Sequence, residues 1–141
     1  MEQLYAELFE AAGVGRRVGE TIAGTAGQTQ ARWQTLWILG SGGTLTVPQV
    51  SRRLGVSRQN IQRLADQLQQ EGLVALEPNP DHKTSPLLAL TTEGRQALER
   101  INLAAEASHL EILEQFPASD VAALRALLRR FTAAMRTDPL S

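Results

Sequence analysis

The sequence predicts a mainly α-helical chain with one small β-hairpin, and three observations carry that expectation. Apolar residues recur at three- and four-residue spacing in several separate segments, as on one face of a helix. Two of those segments, ending at Gly55 and beginning at Ser57, are separated only by the tight turn Gly55-Val56-Ser57. Leu73–Leu76 and Leu87–Leu90 are instead short apolar runs suited to strands, with the turn chemistry of Asn79-Pro80-Asp81 between them.

Taken in order, residues 2–23 are expected to form a first helix with Leu4, Leu8 and Phe9 at helical spacing. Gly13, Gly15 and Gly19 each cost it roughly 1 kcal/mol relative to Ala, so it needs tertiary or subunit packing to persist, and its continuity is left open. A boundary at Gly24 to Gly27 leads to a second helix, from Gln28 or Thr29 through Leu39, which Gly40-Ser41-Gly42-Gly43 should end. Trp33, Leu36 and Trp37 share a face of it, and core packing of large apolar side chains is the favoured reading.

Thr46 is placed to cap the third helix, with Pro48 in the first turn, where a missing N–H costs nothing. Ser57 should cap the fourth, whose Ile61, Leu64, Ala65 and Leu68 form a one-sided apolar stripe. The opposite face carries Gln59, Gln62, Arg63, Asp66 and Gln70, and Gly72 stops the helix. After the hairpin, Thr91 should cap a long helix containing Leu98, Ile101, Ala105, Leu110, Ile112 and Leu113, its stripe interrupted by Asn102, Glu106 and His109. Phe116-Pro117-Ala118-Ser119 is a break, with Ser119 read as the next N-cap and Asp120 favourable beside it. The last helix has Leu124, Leu127, Leu128, Phe131 and Met135 on one side and Arg125, Arg129 and Arg136 on the other. An apolar stripe this strong, left over after one lobe is complete, points to a partner surface, and a homodimer through both termini is the economical answer.

Composition excludes several classes of function. With 141 residues the chain suits one domain, 1–141. It has no cysteine, which rules out disulfides, thiol redox sensing and cysteine-based zinc sites. The start Met-Glu-Gln-Leu-Tyr-Ala-Glu lacks the pattern of a signal peptide and no apolar stretch reaches membrane-spanning length, so a cytoplasmic location and no membrane partner are expected. The net charge of −1 is not that of a strongly basic protein, but Arg52, Arg53, Arg58, Arg63 and Lys83 concentrate in one stretch.

No enzyme site emerges, and no cofactor is expected. His82 and His109 sit in different elements, and the spacing of Glu106 to His109 is far more often a surface hydrogen bond than a metal site. Gly40-Ser41-Gly42-Gly43 lacks the Lys-Ser/Thr ending of a phosphate loop and follows a helix.

A helix with an outer face of amide and guanidinium groups, entered through a tight turn, suits the major groove of DNA, where Arg bonds guanine and Gln or Asn bonds adenine at two points. A solvated helix face is the bland alternative, since the same residues are ordinary surface helix formers. The run V-P-Q-V-S-R-R-L-G-V-S-R-Q-N-I-Q-R-L-A-D-Q-L-Q-Q-E-G-L-V, followed by N-P-D-H-K and L-A-L-T-T-E-G, resembles the winged helix-turn-helix of MarR-type transcription regulators. The resemblance implies a DNA-binding lobe over 28–91, dimerisation helices over 1–23 and 92–141, and a homodimeric regulator, read as a repressor, bound to a pseudo-palindromic operator on double-stranded DNA. Ser57, Arg58, Gln59, Asn60, Gln62 and Arg63 would meet the major groove, and His82 and Lys83 would lie at the wing tip Asp81–Ser85. The dimer would use Leu4, Leu8, Phe9, Leu124, Leu127, Leu128 and Phe131. It also implies a small-molecule effector in a pocket that one Trp would line. The competing reading is a winged-helix module that binds protein instead of DNA.

Overall fold

The structure, a computed structural model, describes residues 1–136; the last five residues of the expected dimerisation segment, 137–141, lie outside the described residues. The element order is α1 (Gln3–Thr25), α2 (Gln30–Gly42), α3 (Val47–Leu54), α4 (Arg58–Gln70), β1 (Val74–Glu77), β2 (Leu87–Leu90), α5 (Thr92–Leu113) and α6 (Ala118–Arg136). Two compact units result, one over Met1–Ala105 and a second that begins at Glu106.

The first unit is built round one apolar core. Leu36 and Leu39 of α2, Val50 of α3, Ile61, Ala65 and Leu68 of α4, Leu88 of β2, and Ala97 and Ile101 of α5 are all buried in it. Of the α4 stripe only Leu64 is half-buried, at the edge of that core. β1 and β2 pair antiparallel, from Val74 opposite Leu90 to Glu77 opposite Leu87. Leu45 adds a bridge to this hairpin that the sequence pattern did not reveal, its N–H and C=O exchanging bonds of 3.2 and 2.7 Å with Leu88. That bridge fixes the start of α3 against the hairpin.

The structure answers the question left open for the first segment and corrects two boundaries. The glycines do not break the first helix: α1 is continuous, with Glu2 as its N-cap. Gly13 and Gly15 face open space, while a Cβ on Gly19 would lie 2.8 Å from Cγ of Gln30, so Gly19 is the glycine that allows α1 and α2 to approach. α2 does not end at Leu39 but runs on through Gly40 and Ser41 to Gly42, with Gly43 at φ 78° as its cap. The Ser41 hydroxyl donates 2.8 Å to the carbonyl of Trp37, which satisfies a last-turn acceptor where glycine propensity alone argues for fraying. Nor is Ser119 an N-cap: α6 begins one residue earlier, at Ala118, and the Pro117 carbonyl accepts from the N–H groups of Asp120 and Val121.

At the junction between hairpin and α5, Thr91 does what its place in the sequence predicts and more. Its hydroxyl accepts from the Gly94 N–H at 3.0 Å and donates to the Gly72 carbonyl at 2.6 Å, while its own N–H donates to the Leu73 carbonyl at 3.2 Å. The start of α5 is thereby locked to the end of the α4–β1 turn, and Gly94 is pressed so close that an added Cβ would meet the Leu73 oxygen.

α6 is a different kind of element. None of its described residues is buried; Leu124, Leu127 and Leu128 are exposed and Phe131 is half-buried.

Candidate nucleic-acid interface

Each helix of the α3–α4 pair is fixed by its caps. Thr46 and Gln49 form a reciprocal box, the Gln49 N–H donating 3.2 Å to the Thr46 hydroxyl and the Thr46 N–H donating 2.8 Å to the Gln49 side-chain oxygen. Gly55, at φ 66°, ends α3 in the left-handed conformation that glycine adopts without a Cβ clash. The Ser51 hydroxyl then bonds the Val56 carbonyl at 2.5 Å, tying the turn shut. Ser57 accepts from the Asn60 N–H at 3.2 Å, so its hydroxyl is committed to starting α4.

The outer face of α4 is polar throughout. Arg58, Gln59, Asn60, Gln62 and Arg63 are all exposed, and none of the exposed large apolar side chains belongs to this helix. Two pairs, each spanning one turn, organise that face. Arg63 Nη2 donates to Asn60 Oδ1 at 2.5 Å, and Gln62 Nε2 donates to Asp66 Oδ1 at 2.9 Å. The Gln62 oxygen and its second amide proton stay available, which is the donor–acceptor pair that matches the major-groove edge of adenine.

α4 is also anchored from behind. Arg32, mostly buried in the first turn of α2, pairs with Glu71, the C-cap residue of α4, at 2.6 Å. Its Nε donates 2.7 Å to the Gln28 side chain, and the α2 N-terminus is closed by Thr29 and by Glu20, which accepts from the Gln30 N–H at 2.8 Å. The charge pattern of the sequence did not single out this pair, because Arg32 and Glu71 are far apart in the chain.

In the hairpin loop, Asn79 is the organising residue. Its side-chain oxygen accepts from the Asp81 N–H at 3.1 Å and its amide donates 2.9 Å to the Ser85 carbonyl, closing the loop on itself. His82 Nδ1 lies 3.2 Å from the Thr84 hydroxyl, and His82 and Lys83 are both exposed. A groove of about 660 Å³ runs between Pro48, Gln49 and Arg52 of α3, Arg58 of α4, and Asn79, Asp81 and His82 of the loop. The structure therefore brings Arg58 and His82 to the walls of one groove, with Arg52 beside them. Lys83 lies outside those walls.

The tryptophans separate: Trp33 packs against the core, as expected, and Trp37 does not. Trp33 is half-buried and donates its indole N–H to Asn102 of α5 at 3.0 Å, while Trp37 is 55% exposed. Trp37 lines a cleft of about 210 Å³ with Gly40, Ser41, Arg95, Leu98, Glu99 and Asn102. The helical wheel places both indoles towards α5; on that face Leu36 is buried in the core and Trp33 packs against it, while Trp37 stays outside. Among the described residues no cluster of His, Asp and Glu could hold a metal ion, and no helix is long and apolar enough to cross a membrane.

A capped helix-turn-helix followed by a two-stranded hairpin, with a polar second helix, defines a winged helix-turn-helix protein. The sequence profile of the MarR family matches residues 26–83. An uncharacterised protein of Mycobacterium tuberculosis is 45% identical over 136 residues, covering 96% of this chain and 94% of its own length. The transcriptional activatory protein BadR of Rhodopseudomonas palustris is 28% identical over 123 residues, covering 84% of this chain and 70% of its own. The crystal structure of a mutant Escherichia coli MarR in complex with operator DNA superposes with a TM-score of 0.74 at 24% identity, over 92% of this chain and 94% of that one, a likeness of fold. The chain belongs to the MarR family of transcriptional regulators.

Proposed function

We propose that this protein binds a pseudo-palindromic operator on double-stranded DNA as a homodimer and represses transcription there, with a small molecule releasing it. The observation that carries the DNA reading is the outer face of α4: five exposed amide and guanidinium side chains on a helix capped at Ser57 and anchored at Glu71. With the N-terminal half of α4 in the major groove, the groove lined by Arg52, Arg58 and His82 would take the phosphate backbone. The absence of a large apolar side chain on that face removes the support for a protein-binding module. Two copies related by a two-fold axis would read half-sites about 34 Å apart, or a multiple of that.

The dimer reading rests on Leu4 and Phe9 of α1 and on Leu124, Leu127 and Leu128 of α6, all exposed in the single chain, with Leu8 and Phe131 half-exposed beside them. For the effector, the cleft at Trp37 supplies an aromatic wall with the polar groups of Arg95, Glu99 and Asn102, a combination that suits a small planar polar molecule. Such a molecule shifts the protein off DNA only to the extent that it binds the two conformations with different affinity.

A gel-shift of the purified full chain on the promoter region of its own gene tests the DNA reading. A discrete complex that resists excess random DNA is expected, and binding no tighter than to random DNA would overturn it. A promoter–reporter fusion, with the gene present and deleted, decides repression.

A further inference from the structure

We infer that Asn60 is a positioning residue for Arg63, holding its guanidinium for guanine, and is not itself a reader of adenine. The inference rests on the DNA-binding role of α4 proposed above. Asn60 and Arg63 stand one turn apart on the exposed face, and Asn60 Oδ1 accepts from Arg63 Nη2 at 2.5 Å. Asn60 is itself fixed, because it is the third residue of α4 and its N–H is held by the Ser57 hydroxyl.

Three consequences follow from donor and acceptor chemistry. Nη2 carries two protons, and Asn60 uses one; whichever it uses, the guanidinium keeps one complete two-donor edge, made either by both Nη groups or by Nε and Nη2. That edge matches O6 and N7 of guanine, both acceptors. A long side chain already held in place loses less rotamer freedom on binding than one free in solvent. Asn60, in turn, has its oxygen beside a cation, and the adenine amino group is a donor that the same cation repels. Its Nδ2 protons point the pair towards acceptors only. The neighbouring Gln62 pair works the other way: Asp66 takes an amide proton and leaves the Gln62 oxygen available.

The role of Asn60 is separable from direct readout, since positioning needs only Oδ1 whereas adenine recognition needs the whole amide. Asn60→Asp keeps an acceptor at that place, strengthens its hold on Arg63 and suits the first turn of a helix. The test is selection of binding sites from random duplexes by the full-length protein, followed by affinities for the selected site and for versions changed at single base pairs. Thermal melting of each variant confirms that it folds.

Wild-type protein is expected to prefer guanine at one position by roughly five- to a hundredfold, a preference that Arg63→Ala removes. Asn60→Ala should reduce the same preference several-fold, and adding it to Arg63→Ala should change nothing further. Asn60→Asp should keep the guanine preference within about twofold of wild type while weakening all sequences alike through phosphate repulsion. If Asn60→Asp loses preference at an adenine position, or Asn60→Ala leaves the guanine preference intact, the positioning role is wrong. Selection of no sequence by the wild-type protein would instead overturn the DNA-binding proposal on which it stands.

Discussion

The α2–β2 region and α6 solve the same physical problem in opposite ways. Both are built from amphipathic segments with a leucine-rich face. In the first, Leu36, Ile61, Leu68 and Leu88 bury that face against one another, and every helix start from α2 to α5 has a side-chain cap. In α6, Leu124 and Leu127 remain 58% and 57% exposed and none of the described residues is buried. Regular spacing in a sequence therefore shows that a face will be covered, but not by what. The first region covers its own; α6 leaves its face exposed, and the proposed dimer would cover it.

The largest effect expected on the first region comes from Gly94. A methyl there would sit 2.0 Å from the Leu73 carbonyl oxygen, which is backbone already engaged by the Thr91 N–H. Neither atom has freedom to retreat, so Gly94→Ala should destabilise the fold by about 3 kcal/mol or more, the range of overpacking with backbone shift. Chemical denaturation followed by circular dichroism measures it. A loss below about 1 kcal/mol would mean that the hairpin and the start of α5 are not locked together as the Thr91 bonds imply.

On α6 the expectation is loss of assembly without loss of the lobe. Covering a leucine contributes about 1.5–3 kcal/mol. Leu124→Glu combined with Leu127→Glu should thus weaken self-association by roughly 3–6 kcal/mol or more, leaving the helical signal of the first region intact. Sedimentation equilibrium reads the assembly and circular dichroism the fold. A dimer that survives both substitutions would place the interface elsewhere and weaken the contrast drawn between the regions.

What the sequence made legible follows the same division. The Thr46, Ser57 and Thr91 caps, the Gly55 turn, the α4 stripe and the hairpin are all local signals, and each reads correctly because a few neighbouring residues determine it. Boundaries that depended on tertiary contacts were misplaced. α2 outlasts its glycines where Gly40 lies against the side chains of Leu90 and Leu98, and Trp37 lies outside the core because α2 turns Leu36 and Leu39 inward instead. At the candidate interface the polar face of α4 was visible from periodicity, but its internal pairing was not. Asn60 and Arg63 could be named together without any sign that one holds the other. Arg32 went unremarked because its partner, Glu71, is specified by folding rather than by spacing, and Asn79 was legible as a turn residue but not as the partner of Ser85.

A smaller effect sharpens the account of how α4 is held. Arg32 is mostly buried but Glu71 is half exposed to water, so the pair is screened. Arg32→Ala should cost about 1 kcal/mol of stability, including the lost bond to Gln28, and leave self-association unchanged. Denaturation midpoints with and without the exchange Arg32→Glu plus Glu71→Arg check the pairing, since the double exchange should recover part of the loss. No recovery would show that Arg32 acts through packing of its stem alone.

The smallest effect on stability, none measurable, belongs to Lys83, whose contribution should appear only on DNA. The loop that carries it is closed by Asn79 bonds to Asp81 and Ser85, neither of which involves the lysine. Lys83 is exposed at the loop tip and lies outside the groove walled by Arg52, Arg58 and His82. An ammonium is a strongly hydrated point charge without the rigid fork by which arginine reads a narrow minor groove. Phosphate attraction is what such a group supplies. Lys83→Ala should weaken binding to all sequences alike and reduce the slope of log affinity against log salt by about one unit for each lysine removed. Asn79→Ala makes the complementary comparison: it keeps the charge and releases the loop, so it should lower operator affinity with little change in that slope. If Lys83→Ala instead abolishes preference at the base pairs flanking the half-sites while random-DNA affinity stays constant, the wing reads sequence, and specificity in this protein does not rest on α4 alone.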